Sequence, residues 1–464
     1  MNYEAPWWLP GGNLQTIWAA VRSQRYRDAP PVFRRERWTA PDDDFVDVDW
    51  LEGIAPTLAT ACAALPPKGA GLAWGGPALR PVTPTLATAC AAMPPEGAGL
   101  AWGGPALRPV TPTLATACAT LPPEGAAFAW GGPTLRPVTP TLATACAARP
   151  LEGAGLGRDG AAALMPPRSF TSCNSLPSEG AGFASEVHPA LDSAQGASGV
   201  SPLLVVFHGL EGSSASHYAE AFADVARARG WACAVPHFRG CSGEINRAPR
   251  AYHSGDFEEI DWILRRFAGQ HHGPVLAVGI SLGGNALMRW AAEMGAEARQ
   301  IVAGVASVCS PLDLAASGWA IGRGFNRQVY TRMFLRSMVP KALQKLDQHP
   351  GLFDRNKLLA VRDLHAFDNI FTAPLHGFKD ADDYWARASA KPHLHRIVVP
   401  ALALNALNDP FIPPGSLPQA ANVGSHVRLW QPAAGGHVGF PSAPFPGHVR
   451  AMPEAVAAFL AAQL

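Results

Sequence analysis

The chain has 464 residues, 48% of them apolar and 16% charged, with a formal net charge of +1. That length has room for two or three domains and for a sizeable buried core. No run of Lys and Arg stands out, so nucleic acid and an anionic membrane surface are both poor guesses for a partner.

The opening M-N-Y-E-A-P-W-W-L-P-G-G-N-L-Q-T-I-W lacks the basic and apolar regions of a signal peptide. No stretch approaches the roughly 18 consecutive apolar residues of a membrane span. The default expectation is a soluble cytoplasmic protein with no integral membrane segment. The run from Arg37 to Trp50 reads as two short strands separated by the acidic turn Asp42-Asp43-Asp44.

A tandem repeat follows. T-P-T-L-A-T-A-C-A-A-M-P-P-E-G-A-G-L-A-W-G-G-P-A-L-R-P-V begins at Thr83 and returns almost verbatim at Thr111, with a copy from Ala55 that lacks the first residue's identity and a fourth from Thr139 that soon decays. The same period of 28 spaces Cys62, Cys90, Cys118 and Cys146, and also Trp74, Trp102 and Trp130. Those cysteines are therefore copies of one position rather than a disulfide framework. The other four show no metal-ligand spacing, so reduced thiols and no bound metal are expected. Ile54 to Ala197 holds 14 charged residues in 144, against 59 in the other 320. Pro-Pro and Gly-Gly interrupt each of the first three units, so 54–197 reads as a disordered low-complexity insert, with a structured binding module as the competing reading. Residues 1–53 and 198–464 then form one domain, interrupted in a loop between successive strands.

From residue 202 onward, apolar runs of strand length occur at 202–208, 231–237, 274–280, 301–308, 398–405 and 427–431. Helical patterns lie between them: Ser216–Arg229, Asp256–Ala268, Asn285–Ala298 and, at the end, Pro453–Leu464. Phe222, Val225 and Ala226 share one helical face; Leu287, Trp290, Ala291 and Met294 share another. The alternation predicts an α/β fold with a mostly parallel sheet flanked by helices. Residues 313–390 break the rhythm and read as a helical cap.

The run ending at Ile280 leads straight into Ser281 and a helix, so Gly279-Ile-Ser-Leu-Gly283 fits G-x-S-x-G, a nucleophile elbow. The bare pattern is weak, since chance supplies about a quarter of a match in a chain this long. Its place between an apolar strand and an amphipathic helix makes it specific. His208-Gly-Leu-Glu-Gly212 follows an earlier strand and offers an oxyanion loop. The backbone N–H groups of Leu210 and Leu282 are the expected donors. His208 itself reads as a structural hydrogen-bonder more readily than as a catalyst. Asp409, after the strand ending near Leu407, is the candidate acid, with Asp313 as runner-up. His437, in Gly435-Gly-His-Val-Gly-Phe440, is the candidate base.

With Asn13-Leu-Gln-Thr16, His237-Phe-Arg-Gly-Cys-Ser-Gly-Glu244 and Tyr252-His-Ser-Gly255, these motifs make the chain resemble the YheT-like branch of the α/β-hydrolases. The resemblance covers everything except 54–197. It implies a Ser281–Asp409–His437 triad without a cofactor, acting on short-chain acyl or acylglycerol-type esters. A small-molecule ester or lipid substrate is thus the expected partner. One departure is Gly11-Gly12 where relatives often carry N-P-H; the larger one is the insert. The loop around Arg239 and Cys241 either lines the pocket or is a structural turn. Acyl transfer to another acceptor and a silent binding protein on the same scaffold are the rival functions.

Excising 54–197 and joining the ends by a short turn should leave ester hydrolysis nearly unchanged and stability equal or slightly higher. Lengthening a turn from about six residues to about 150 costs only roughly 3 kcal/mol of closure entropy. Limited proteolysis of the parent should cut within the repeats first. A protease-resistant insert, or a folded but inactive excision variant, would sink this reading.

Overall fold

The computed structural model describes residues 3–53 and 200–464. The repeat segment expected at 54–197, and its reading as disordered, lie outside those residues. The two described pieces belong to one compact unit.

Eight strands form one sheet: β1 Phe33–Thr39, β2 Phe45–Leu51, β3 Leu203–Phe207, β4 Ala232–Pro236, β5 Val275–Ile280, β6 Gly304–Val308, β7 Ala401–Leu404 and β8 Val427–Trp430. Their spatial order is β1-β2-β4-β3-β5-β6-β7-β8. The β1–β2 and β2–β4 pairs are antiparallel and all others parallel. Strands β3 to β7 are buried at every position. Continuous apolar runs such as Leu-Leu-Val-Val-Phe are what a parallel strand covered on both faces requires.

The outer strand β1 is different. Its four successive charged residues, Arg34 to Arg37, deter further pairing at the sheet edge. Arg35 stands opposite Asp49 and Arg37 opposite Asp47 in the ladder, each pair 2.7 Å apart. A slip of one residue would separate both pairs and turn buried Trp38 outward, so charge and burial select the same register.

Alternate residues of each strand feed two apolar layers. One joins Leu203, Val205 and Phe207 to Trp38, Phe267 and Trp290; the other joins Leu204 and Val206 to Phe222, Phe440 and Val456. The helices covering the sheet are α2 His217–Ala228, α3 Phe257–Gln270, α4 Leu282–Met294 and the C-terminal Ala451–Ala461. Helix α4 starts three residues before the Asn285 expected from periodicity, because the chain turns into it directly from Ser281. It ends at Gly295, which adopts φ 51°. Between β6 and β7 lies the cap, including helices Leu314–Ile321, Arg332–Gln348, Leu364–Ile370 and Ala381–Ala388. It has a small core of its own around Ala342, Leu358 and Phe367.

Helix α1, Gly12–Val21, was not legible from periodicity. Its buried side chains include Gln15 and Thr16, while Leu14, Ile17 and Val21 face solvent at 50%, 37% and 65% exposure. This inverts the usual pattern of an amphipathic surface helix. Among the described residues, no helix is long and apolar enough to cross a membrane.

Candidate active site

The parallel strands all point their C-terminal ends at one rim of the sheet, where open α/β sheets place their sites. The loop after β3 carries Leu210, the turn after β5 carries Ser281, and the loops after β7 and β8 carry Asp409 and His437. Four segments remote in sequence therefore meet because of strand order alone.

Ser281 sits at φ 51°, a left-handed conformation that is strained for a residue with a side chain. Its neighbours show what holds it there. A Cβ on Gly279 would lie 2.5 Å from the carbonyl oxygen of Gly283. One on Gly283 would lie 2.5 Å from the oxygen of His208 and 2.7 Å from that of Phe207. One on Gly284 would lie 1.9 Å from the Ser310 hydroxyl. The start of α4 is thus pressed against the ends of β3, β5 and β6, with backbone where side chains would be. Gly209 completes the fit, its missing Cβ lying 3.2 Å from that of Ser281.

His437 Nε2 lies 3.1 Å from Ser281 Oγ, and its Nδ1 lies 2.9 Å from Asp409 Oδ2. The second oxygen of Asp409 accepts the Phe411 N–H at 2.8 Å. The structure brings these three residues together. The runner-up Asp313 goes elsewhere: it caps the helix Leu314–Ile321 through Ala316 N–H and faces Lys391.

The 208–212 loop is pinned one amide at a time. Gly209 N–H donates to Tyr218 Oη, Glu211 N–H to Tyr252 Oη, and Gly212 N–H to Gly209 O. Among the described residues, the N–H groups of Leu210 and Leu282 find no acceptor. Both residues border the cavity that exposes Ser281. Two unpaired donors beside a strained hydroxyl suit a developing oxyanion.

The residues that hold His437 were largely missed by sequence reasoning. Four consecutive N–H groups each donate to a side chain: Gly435 to Gln15 Oε1, Gly436 to Asn408 Oδ1, His437 to Thr16 Oγ1, and Val438 to Cys309 Sγ. Gln15 Oε1 also accepts Asn408 Nδ2, tying the His437 loop to the neighbour of Asp409. Helix α1 approaches so closely that a Cβ on Gly12 would stand 1.8 Å from Asn408 O, which gives the Gly11-Gly12 departure a physical role. The motif Asn13-Leu-Gln-Thr16 was the available signal, but no periodicity pointed to its partners.

His208, Arg239 and Cys241 each make contacts of their own away from the Ser281 hydroxyl. His208 is fully buried, its Nδ1–H donating to Gly209 O and its Nε2 accepting from Phe238 N–H. Arg239 borders an adjoining hollow, but its guanidinium is held by Glu259, Asp42 and Asp44. Cys241 lies behind the cavity wall near Lys341, and burial pushes its thiol up to about 12. The cavity beside Ser281 is lined instead by Leu314, Ile321, Phe334, Met338, Leu364 and Phe411, with Asp368 as a polar exception. Asp368 accepts from Thr372 Oγ1 and Trp385 Nε1, and burial raises its carboxyl to about 6.

Ligand atoms of Cys309, Asp409 and His437 lie within 4.8 Å of one another, close enough to suggest a metal site. Burial holds the Cys309 thiol well above its usual range and so protonated. Its sulfur accepts Val438 N–H, while Asp409 is occupied by His437 and Phe411. The trio therefore fits a hydrogen-bonded acid–base array better than an ion.

A family model for the alpha/beta hydrolase fold matches residues 202–444. YheT of Escherichia coli (strain K12), whose name provisionally calls it an esterase, is 42% identical over 242 residues, covering 52% of this chain and 70% of that protein. Phospholipase ABHD3 of Mus musculus is 27% identical, covering 52% of this chain and 58% of its own. Monoacylglycerol lipase of Saccharomyces cerevisiae is 28% identical, covering 52% and 55%. The chain thus spans little more than half the length of the two eukaryotic relatives. Among solved structures, Est1E from Butyrivibrio proteoclasticus is 16% identical with TM-score 0.36, covering 56% of this chain and 89% of that one. A monoacylglycerol lipase from Paleococcus ferrophilus is 17% identical with TM-score 0.35, covering 57% and 96%.

The hydrogen bonds of His208 require a neutral ring, and burial lowers its pKa to about 3 from an ordinary 6.5. Between these values the unfolded chain holds a proton that the folded one does not. Stability should therefore fall as pH drops from about 6.5, by up to about 1.4 kcal/mol per pH unit for this residue. In His208→Gln, which can keep both contacts without titrating, urea unfolding from pH 7 to 4 should show a slope shallower by about one proton. An unchanged slope would contradict this account.

Proposed function

The chain belongs to the α/β hydrolase fold family, in its YheT-like branch, and from that premise we propose that it is a serine carboxylic-ester hydrolase with Ser281 as nucleophile. The observation that carries the reading is the relay from Ser281 Oγ to His437 Nε2 at 3.1 Å and from His437 Nδ1 to Asp409 at 2.9 Å. Ser281 Oγ attacks the ester carbonyl while His437 takes its proton. The N–H groups of Leu210 and Leu282 receive the oxyanion, and the alcohol departs with the proton from His437. Water activated by the same imidazole then releases the acid and restores Ser281. Asp409, buried and aligned by Phe411 N–H, fixes the imidazole tautomer and stabilises its charged form.

The apolar cavity wall suits an acyl chain, and the relatives named as lipase and phospholipase favour acylglycerol-type esters over small polar ones. Chain-length preference on a p-nitrophenyl ester series tests that substrate class.

Ser281→Ala and His437→Ala should each lower kcat on p-nitrophenyl butyrate by on the order of 10³ or more, and the double variant should be little worse. Additive losses would argue against a shared role, and an active Ser281→Ala enzyme would remove the mechanism. Asp409→Asn should be severe and Asp313→Asn mild; the reverse would reassign the acid.

Gln15 and Thr16 act through the His437 loop as positioning residues. Gln15→Ala and Thr16→Val should reduce kcat by about tenfold to a hundredfold with KM little changed, as expected for misplaced catalytic groups. Thr16→Ser, which keeps the acceptor oxygen, should restore most of the rate. A loss expressed in KM alone, or no rescue by serine, would count against positioning.

A further inference from the structure

Helix α1 turns its polar side chains inward and its apolar ones out. Leu14, Ile17 and Val21 recur at i, i+3 and i+7 and form an exposed stripe. Near it Trp7 is 92% exposed, and Phe445, 69% exposed, packs against Trp8 and Trp18 at centroid distances of 5.6 and 5.5 Å. The start of α1 touches the cap, because Tyr330 Oη donates to Asn13 Oδ1 at 2.9 Å. Leu14 and Ile17 stand within about one turn of that contact.

The touched part of the cap is cationic. From Leu314 to Leu346 the chain carries four Arg, two Lys and no acidic residue. Lys341 is paired with Glu211 and Lys345 is buried. Arg323, Arg327, Arg332 and Arg336 are exposed, and none forms an ion pair with a described residue. Among them project Phe325 and Met333, both more than half exposed. The neighbouring Ile321 and Phe334 point the other way and line the cavity beside Ser281.

We propose that the outer stripe of α1 and this arginine-bearing edge of the cap form one docking face for an anionic lipid bilayer. Exposed aliphatic and aromatic side chains insert at the interface while cations meet anionic headgroups. Charge complementarity selects this occupant. An isologous contact with a second copy would gather both sets of four arginines into one interface without a described acidic partner. The chain-wide charge of +1 argued against such a surface, but the local balance is six basic residues to none. Spacings of four and five residues kept the arginines from reading as a run. Docking there would set the cavity mouth beside a pool of acyl chains, which goes beyond the esterase reading and does not depend on it.

The test is sedimentation of the full chain, as Ser281→Ala to silence any turnover, with vesicles of phosphatidylglycerol and phosphatidylcholine. Binding should rise with anionic fraction and weaken as salt is raised from 0.05 to 0.5 M. Each arginine at such a surface multiplies partitioning by about fivefold. Replacing Arg323, Arg327, Arg332 and Arg336 together by Gln should therefore lower it by on the order of 10² or more. The same changes in the Ser281 protein should leave p-nitrophenyl butyrate hydrolysis unchanged. Leu14→Ser with Val21→Ser should weaken vesicle binding while leaving its salt dependence unchanged, because the four arginines remain. No binding to anionic vesicles at low salt, or binding that the quadruple variant retains, would overturn the proposal. So would a salt-sensitive dimer that the quadruple variant dissolves, or tighter binding to duplex DNA than to vesicles.

Discussion

The site depends on four successive backbone amides, those of Gly435 to Val438, that have no strand or helix to satisfy them. Each is taken by a side chain instead, and an unpaired buried amide would cost about 1–3 kcal/mol. Those side chains come from α1, from the loop after β7 and from the end of β6. The imidazole position is therefore set by groups that lie from 28 to 421 residues away in sequence. Gln15 is the most connected of them, since one oxygen serves both Gly435 and Asn408. This makes the N-terminal piece part of the site, although the repeat segment separates it from everything else the site uses.

Fixing His437 in this way matters because the serine is fixed by opposite means. Around Ser281 the constraint is the absence of side chains: Gly209, Gly279, Gly283 and Gly284 let backbone meet backbone. The strand ends and α4 interlock there, and the strain at φ 51° is held by packing on several sides. A rigid serine facing a loop tethered by side chains leaves His437 as the part most open to adjustment by mutation.

Most of the fold was legible because its strands are buried on both faces and read as apolar runs, and because G-x-S-x-G states its own geometry. Asp409 and His437 were legible from their place after late strands. The contacts of Gln15, Thr16 and Cys309 were not, since a hydrogen bond across the fold leaves no local pattern. Arg239 and Cys241 were left open between pocket wall and structural turn for a related reason. A motif marks that residues matter, yet Arg239 matters by joining the acidic turn Asp42-Asp43-Asp44 to Glu259 on α3, away from Ser281. The cap's basic residues suggested no partner because whole-chain charge averages over them.

Helix α1 joins these themes. Ten residues make a marginal helix in isolation, and this one cannot be held by burying an apolar stripe, since its stripe faces out. What holds it is polar: Gln15 to Leu9 O, Asn408 and Gly435, Thr16 to Gly12 O and His437, and Asn13 to Tyr330. Ala19, packed with Ala221 and Val449, adds a small apolar anchor. Folding stability thus explains the inner face completely and leaves the outer one unexplained. Ile17 and Val21 are not even good helix formers, and polar residues there would be favoured by water. An apolar exterior that the fold does not need is most simply understood as a surface kept for something outside the chain.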